Sequence, residues 1–197
     1  MSELEVLFHK DNISVVRLKP NQWQTLRDLK IRSIVQDPLA FADPIPELDK
    51  YKNRSEEEWR SILSGKMSGG RPGESIVLFA KDGQDDVGLI TAIIPQQEGN
   101  YQMATVQHTF VDENHRRKGI GEELLRTLIE QLKQRSNIGE VELDVVVTQQ
   151  AAIDLYKRLG FRSVGFTKEK AKRGEKEYDR YDMKLALKPL PPKLNIG

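Results

Sequence analysis

A chain of 197 residues with 38% hydrophobic residues is sized for one α/β domain with its own core. Its 31 Lys plus Arg against 30 Asp plus Glu leave a formal net charge of +1, which argues against broad nucleic-acid or polybasic membrane binding. The absence of cysteine excludes a thiol nucleophile, a Cys-ligated zinc and a disulfide framework. Apolar runs such as residues 76–80 fall far short of the ~20 residues that span a bilayer. Glu3 and Glu5 stand where a signal peptide would be basic and then apolar. These features point to a soluble, cytoplasmic protein.

Residues 13–18 are short and apolar-rich and predict an opening strand. Pro20 suits a helix start and Asp37-Pro38 a stop, so residues 20–37 predict a helix with a broad apolar arc. With Pro38, Pro44 and Pro46 close together, residues 39–53 read as a loop. Ser55 followed by Glu58 is a capping-box pattern, and it opens a helix to residue 64 with Trp59, Ile62 and Leu63 inward. A Gly-, Ser- and Pro-rich surface loop follows to residue 74.

Residues 75–81 and 87–94 then predict a hairpin turned at Asp82-Gly83-Gln84-Asp85-Asp86. Residues 102–112 predict a third strand. Strict alternation puts Thr105, Gln107, Thr109 and Val111 on one face and Ala104, Val106, His108 and Phe110 on the other. Residues 119–135 form the clearest helix, with Ile120, Leu124, Leu125, Leu128, Ile129 and Leu132 at helical spacing. A strand over 140–148, a short helix over 149–159 and a closing hairpin of 161–167 with 178–187 complete a mixed sheet covered by helices. The domain is expected over 13–187, with an N-terminal extension over 1–12 and a Pro-rich extended tail over 188–197.

The chemistry-bearing segment is Asp112-Glu113-Asn114-His115-Arg116-Arg117-Lys118-Gly119-Ile120-Gly121. Three consecutive cations at a helix N-terminus oppose the helix dipole at about 0.3–1 kcal/mol each, and a bound anion reverses that sign. Gly119 and Gly121 clear side chains away from first-turn N–H groups that have no helical partner. A solvated basic loop with a glycine turn is the bland alternative. A Walker loop would need Lys-Ser/Thr after its last glycine, where Glu122 and Glu123 stand. A dinucleotide fingerprint would need glycine at position 124, which is Leu124.

Arg116-Arg117-Lys118-Gly119-Ile120-Gly121 matches the Arg/Gln-x-x-Gly-x-Gly/Ala pyrophosphate motif of the GNAT superfamily of N-acetyltransferases. Downstream, Ala152-Ile153-Asp154-Leu155-Tyr156-Lys157-Arg158-Leu159-Gly160-Phe161 resembles that family's Ala-Ile-x-Leu-Tyr-x-x-x-Gly-Phe signature. Upstream, the helix over 23–37, the Asp37-Pro38-x-x-Phe41 turn and Trp59 resemble the variable substrate-side region of some members. The resemblance runs over residues 13–187 and is specific mainly over 104–166. It implies an α/β (α+β) fold: a mixed, mostly antiparallel central sheet flanked by helices, with splayed central strands.

It also implies an N-acetyltransferase that uses acetyl-CoA as co-substrate, without a metal, on a primary amine of a small molecule or peptide. Arg116, Arg117, Lys118, Gly119, Ile120 and Gly121 would hold the pyrophosphate. Thr109, Phe110 and Val111 would receive pantetheine like an added strand. A backbone N–H near Phe110 would polarise the thioester carbonyl, and the amine would attack directly in a ternary complex. Dimerisation is common on this scaffold, so a homodimer is open. Nucleic acid and membrane are not expected partners.

Within this resemblance Tyr156 is the proton donor to the departing thiolate; the alternative is a core tyrosine, since it shares an apolar face with Leu155 and Leu159. Gln149 stands where many members carry a pantetheine-fixing Asn. Many members also carry a Glu base on the strand before the loop, and Ala104-Thr105-Val106-Gln107-His108-Thr109 has none. His108 has the only unperturbed pKa near neutrality there; it is either the base or packed in the sheet. Asp144, Glu142 and a water relay are further candidates. His115 is assigned to the loop surface and His9 to the extension. The missing carboxylate also keeps open a non-catalytic CoA-binding module on the same scaffold. The charge run over 168–180 reads as a solvated hairpin tip or as a flap beside the acceptor.

Overall fold

A computed structural model describes residues 4–41, 44–96, 102–173 and 176–188. Its strands are β1 (Glu5–Lys10), β2 (Ile13–Arg17), β3 (Gly73–Asp82), β4 (Asp85–Pro95), β5 (Gln102–Val111), β6 (Ile138–Val146), β7 (Arg162–Arg173) and β8 (Lys176–Ala186). Its helices are α1 (Trp23–Gln36), α2 (Pro44–Asn53), α3 (Glu56–Leu63), α4 (Ile120–Lys133) and α5 (Gln150–Arg158). The strands form one sheet in the order β1-β2-β3-β4-β5-β6-β8-β7.

Alternation along β3 explains the layers. Ile76, Leu78 and Ala80 pack into the core under α4 and α5, while Val77 and Phe79 join the core under α1 and α3. Both faces are buried, so the strand reads as one continuous apolar run. On α4, Leu124, Leu125, Leu128 and Leu132 are fully buried, and burying such a side chain contributes about 1.5–3 kcal/mol.

Two elements lie outside the sequence expectation. β1 falls in the stretch assigned to an N-terminal extension, yet it pairs antiparallel with β2 as an edge strand and carries His9 opposite Ser14. Its mostly exposed side chains leave no alternation to read. α2 occupies the expected loop. Pro44 and Pro46 fall in its first turn, where N–H groups have no helical partner and proline costs little. β7 and β8 also reach further toward their turn than expected. Gly174 and the tail from 189 lie outside the described residues.

The face assignment on β5 is corrected by a β-bulge. Leu89 pairs with Phe110 and Thr91 with Gln107, so Ile90 alone faces both His108 and Thr109. His108 takes the left-handed conformation, φ 51°. The extra residue shifts the alternation. Ala104 and Val106 face the core under α4, whereas Phe110 faces α1 and α3. His108 also turns to that side, its ring centroid 5.2 Å from that of Phe41. Gly88 permits this close approach, since a Cβ there would sit 2.7 Å from the Phe110 carbonyl oxygen.

Every neighbouring pair in the sheet is antiparallel except β5 with β6. A parallel pair needs a long crossover, and α4 supplies it. Their register runs only from Gln102↔Ile138 to Thr105↔Glu142. Beyond that point β5 is held by β4 alone and β6 by β8 alone. The sheet opens there.

Candidate functional site

Three adjoining recesses follow this opening. The first is a groove at the start of α4, lined by Thr109, Phe110, Val111, Arg116, Arg117, Gly119, Ile120 and Gly121, with Arg158 from α5 opposite. Arg117 (φ 66°) and Gly119 (φ 80°) are both left-handed, a loop geometry that turns successive N–H groups to one side. Among the described residues, the N–H groups of Arg117, Lys118, Gly119, Ile120 and Gly121 have no acceptor. A Cβ at Gly121 would make only ordinary contacts, 3.6 Å to Leu155 and Val111. Packing therefore does not demand glycine at 121; the bare backbone keeps the groove floor open to an anion.

The three cations divide their work. Arg116 Nε donates to the Val111 carbonyl at 3.0 Å, and Lys118 Nζ pairs with Asp82 at 3.1 Å, outside the groove lining. Arg117 stays exposed at the groove. Glu122 also lines this groove, and Arg126 at 2.7 Å and Arg158 at 3.5 Å neutralise its carboxylate. The Arg126 hydrogen bond leads in holding it below the usual carboxylate range. His115 is half-buried between Asp112 and Asp82 rather than free on the surface.

The second recess is the slot between the splayed strands. Val106, His108, Thr109 and Phe110 line it from β5, Leu143, Asp144 and Val145 from β6, and Gln149 and Tyr156 from α5 and its cap. Tyr156 is 8% exposed. Burial pushes its phenol above the ordinary value, the Thr109 hydroxyl works the other way, and Asp144 and Asp37 add to the rise. The phenol thus keeps its proton at neutral pH. Gln149 Nε2 reaches the Asp37 carboxylate at 3.5 Å, bridging α5 to the end of α1.

The third recess is a cavity of about 420 Å³ between the bulge of β5 and helices α1, α2 and α3. His108, Val106, Phe41 and Asp144 are shared walls with the slot. Tyr51 Oη lies 2.9 Å from His108 Nε2, while Nδ1 is buried with no partner among the described residues. Burial, then the charges of Lys30, Arg54 and Lys50, push the His108 pKa well below its ordinary value, so the ring is neutral. Of the other candidates, Asp144 faces the cavity but pairs with Arg180 at 3.3 Å. Glu142 accepts from Thr105 at 3.0 Å and lines none of these recesses.

The sequence model of the acetyltransferase (GNAT) family matches residues 30–161. The chain belongs to the GNAT family. An L-amino acid N-acetyltransferase of Escherichia coli (strain K12) is 28% identical over 153 residues, 78% of this chain and 88% of that protein. An N-alpha-acetyltransferase of Sulfurisphaera tokodaii is 41% identical over 66 residues, 34% of this chain and 40% of that protein. A GNAT acetyltransferase of Streptococcus pneumoniae shares the fold, with a TM-score of 0.72 at 19% identity over 88% of this chain and 99% of that one. NAA60 of Arabidopsis thaliana, in complex with acetyl-CoA, has a TM-score of 0.65 at 18% identity over 88% of this chain and 98% of that one.

As a GNAT chain it is an acyltransferase. Lys30, Glu47, Tyr51, Arg54, Trp59 and Thr91 line the third recess. Trp59 and the stretch 23–37 that carries Lys30 belong to the region whose resemblance points to the substrate side; Glu47, Tyr51, Arg54 and Thr91 are not singled out by sequence. Lys30 left a further signal as a cation on the buried arc of α1, among Leu26, Leu29 and Ile34. No helix is long and apolar enough to cross a membrane among the described residues.

Proposed function

We propose that this GNAT chain moves the acetyl group of acetyl-CoA to a primary amine by direct attack in a ternary complex. The observation that carries this reading is the opening between β5 and β6, with an anion-ready groove at one end and the His108 cavity at the other. Acetyl-CoA supplies an activated thioester, so the chain needs no nucleophile of its own.

The N–H groups of residues 117–121 fit the pyrophosphate, helped by the Arg116 and Arg117 guanidiniums; Lys118 contributes its backbone, since its side chain is engaged with Asp82. Thr109, Phe110 and Val111 offer the free strand edge to pantetheine, with Gln149 at the far wall of the slot. A Phe110 N–H is the donor assigned to the carbonyl oxygen. Tyr156 Oη, held protonated, gives its proton to the departing sulfur. With the ring proton on Nε2 facing Tyr51, His108 Nδ1 offers its lone pair to the amine proton. The relatives named for amino-acid and N-alpha acetylation support an amine acceptor.

Free-thiol release from acetyl-CoA, scored against a panel of amines and peptides, tests the reading. Amine-dependent release is expected. A folded protein that binds acetyl-CoA and releases no thiol with any amine is instead a CoA-binding module.

A further inference from the structure

The bulge in β5 and the left-handed backbone at His108 turn its ring out of the strand and toward α2. Nε2 then lies 2.9 Å from the Tyr51 hydroxyl, and Nδ1 is buried without a partner among the described residues. Glu47 stands one helical turn before Tyr51 on α2, and its carboxylate is hydrogen-bonded to the same hydroxyl. One phenol oxygen therefore joins a carboxylate to an imidazole. Burial, the Glu47 charge and that hydrogen bond together push the Tyr51 phenol well above its ordinary value, against the charge of Arg54. The phenol keeps its proton.

Counting protons fixes the direction of both hydrogen bonds. A phenol carries one proton, and a carboxylate can only accept. With the Tyr51 proton on Glu47, the Tyr51 oxygen meets His108 as an acceptor, and Nε2 must carry the ring proton. The free lone pair is then on Nδ1, in a ring that lines both the slot and the third recess. The opposite arrangement takes the donor away from the Glu47 carboxylate and puts an N–H at Nδ1, where no acceptor stands among the described residues. A charged group loses more than a neutral one when its hydrogen bond goes. The other charged groups around the ring are Lys30 from α1, Lys50 from α2, Arg54 and Arg71 from the segments after α2 and α3, Asp144 from β6 and Arg180 from β8. Asp144 is paired with Arg180 at 3.3 Å. Burial pushes the Lys30 ammonium well down, with Glu47 as its opposing charge.

We propose that Glu47 is a positioning residue that acts through Tyr51: by taking the Tyr51 hydrogen bond it holds His108 as the Nε2–H tautomer and leaves Nδ1 free to accept the proton of the attacking amine. The proposal rests on the acetyltransferase reading of this site. As the amine nitrogen bonds to the acetyl carbon, one of its N–H bonds breaks and an Nδ1–H bond forms. The sulfur takes its proton from Tyr156, and the proton on Nδ1 makes good that loss through solvent before the next turnover. In between, the ring is an imidazolium opposed by Lys30, Arg54 and Lys50, and the Glu47 charge, one hydroxyl away, offsets them. A Ser-His-Asp triad uses the same logic, in which the carboxylate behind the histidine fixes its tautomer and stabilises its cation without being protonated itself. Here a phenol stands between the two.

The test reads the tautomer directly. Histidine labelled with the heavy nitrogen isotope gives separate magnetic-resonance signals for protonated and unprotonated ring nitrogens, and His108→Gln assigns those of His108. The wild type should carry its ring proton on Nε2. Glu47→Leu frees the Tyr51 proton for Nε2, so the ring proton should move to Nδ1. In that variant kcat should fall at least about 10²-fold, the low end for losing a general base, while acetyl-CoA affinity by calorimetry stays within about twofold of the wild type. Glu47→Gln keeps an acceptor oxygen in nearly the same shape, so the test stays readable if Glu47→Leu unfolds the chain. It should keep the Nε2–H tautomer and lose about tenfold in kcat through the missing charge. A wild-type ring protonated on Nδ1 overturns the proposal, as does a folded Glu47→Leu protein with the wild-type tautomer, or a Glu47→Gln protein whose ring proton has moved to Nδ1. The expected tautomers in a protein that releases no thiol with any amine retire the transferase reading alone; thiol release from a wild type protonated on Nδ1 retires this proposal alone.

Discussion

The Tyr51 hydroxyl lies 2.9 Å from Nε2 of His108 and so ties α2 to the bulge in β5. Tyr51→Phe removes the contact and leaves a buried ring nitrogen unsatisfied, which costs about 1–3 kcal/mol. Denaturant melts should show that loss, and kcat should fall in the same variant because the His108 tautomer is no longer fixed. Unchanged melts and unchanged kcat would remove Tyr51 from the account.

His108 is buried and neutral, with its pKa well below the ordinary value. Below about pH 6.5 an unfolded histidine gains a proton that the folded ring refuses. The His108 contribution to stability is therefore complete above that pH and is lost as pH falls toward the lowered folded value. Denaturant midpoints between pH 7.5 and 5 should drop more steeply in the wild type than in His108→Gln. Parallel curves would contradict a neutral buried ring. His108→Ala should also lose most of kcat while acetyl-CoA affinity stays near the wild-type value.

Tyr156→Phe should lower kcat by about 10²–10⁴-fold, the usual cost of losing a general acid. The phenyl ring still fills the same apolar site beside Phe161, whose ring centroid lies 5.9 Å away. Acetyl-CoA affinity should therefore hold, since the hydroxyl acts as the sulfur departs and not in ground-state binding. Single-turnover kinetics, which slow product release cannot mask, decide this.

The groove and the α5 signature were legible because their signals are local. Glycines, cations and the start of α4 sit within a few residues, and Tyr156 keeps helical spacing with its neighbours. The third recess was legible only in part, through Trp59, Phe41 and the stretch 23–37. Pro44 and Pro46 disguised α2, and with it Glu47 and Tyr51, because proline is tolerated in a first turn. The bulge at His108 carries no glycine or proline to announce it; Gly88, on the neighbouring strand, makes room for it. Lys30 stood on an apolar arc in plain view, but a lone cation there has no meaning until Arg54, Trp59 and Glu47 converge on it from other elements.

The two glycines of the groove should fail differently. Gly119 has φ 80° with open space around a Cβ, so Gly119→Ala should cost about 1–2 kcal/mol of stability through backbone strain alone. Gly121→Asp instead puts bulk and negative charge on the anion floor. Calorimetry should show acetyl-CoA binding abolished in a folded Gly121→Asp protein.

Asp112 fastens the loop before α4 to α1. It accepts from Gln36 at 3.2 Å and Arg32 at 3.3 Å, and from the Asn114 N–H at 3.1 Å. Burial works against its charge, but the Asn114 and Gln36 hydrogen bonds, the adjacent His115 ring and the Arg32 charge outweigh it and hold its pKa below the usual value. Its contribution is present above the unfolded carboxylate value of about 3.9 and is lost as pH falls through the lower folded one. Asp112→Asn should lower the melting temperature at pH 7, with the gap to the wild type closing below about pH 4. A gap that persists unchanged in acid would contradict the assignment.

The most direct measurement follows the acetyl group itself. Acetyl-CoA labelled in the acetyl group is incubated with the protein and an amine that supports thiol release, and the products are separated by mass. The account predicts label on the amine nitrogen, appearing in step with free thiol and slowed in Tyr156→Phe. Label recovered only as free acetate, or only in acetyl-CoA, would contradict it.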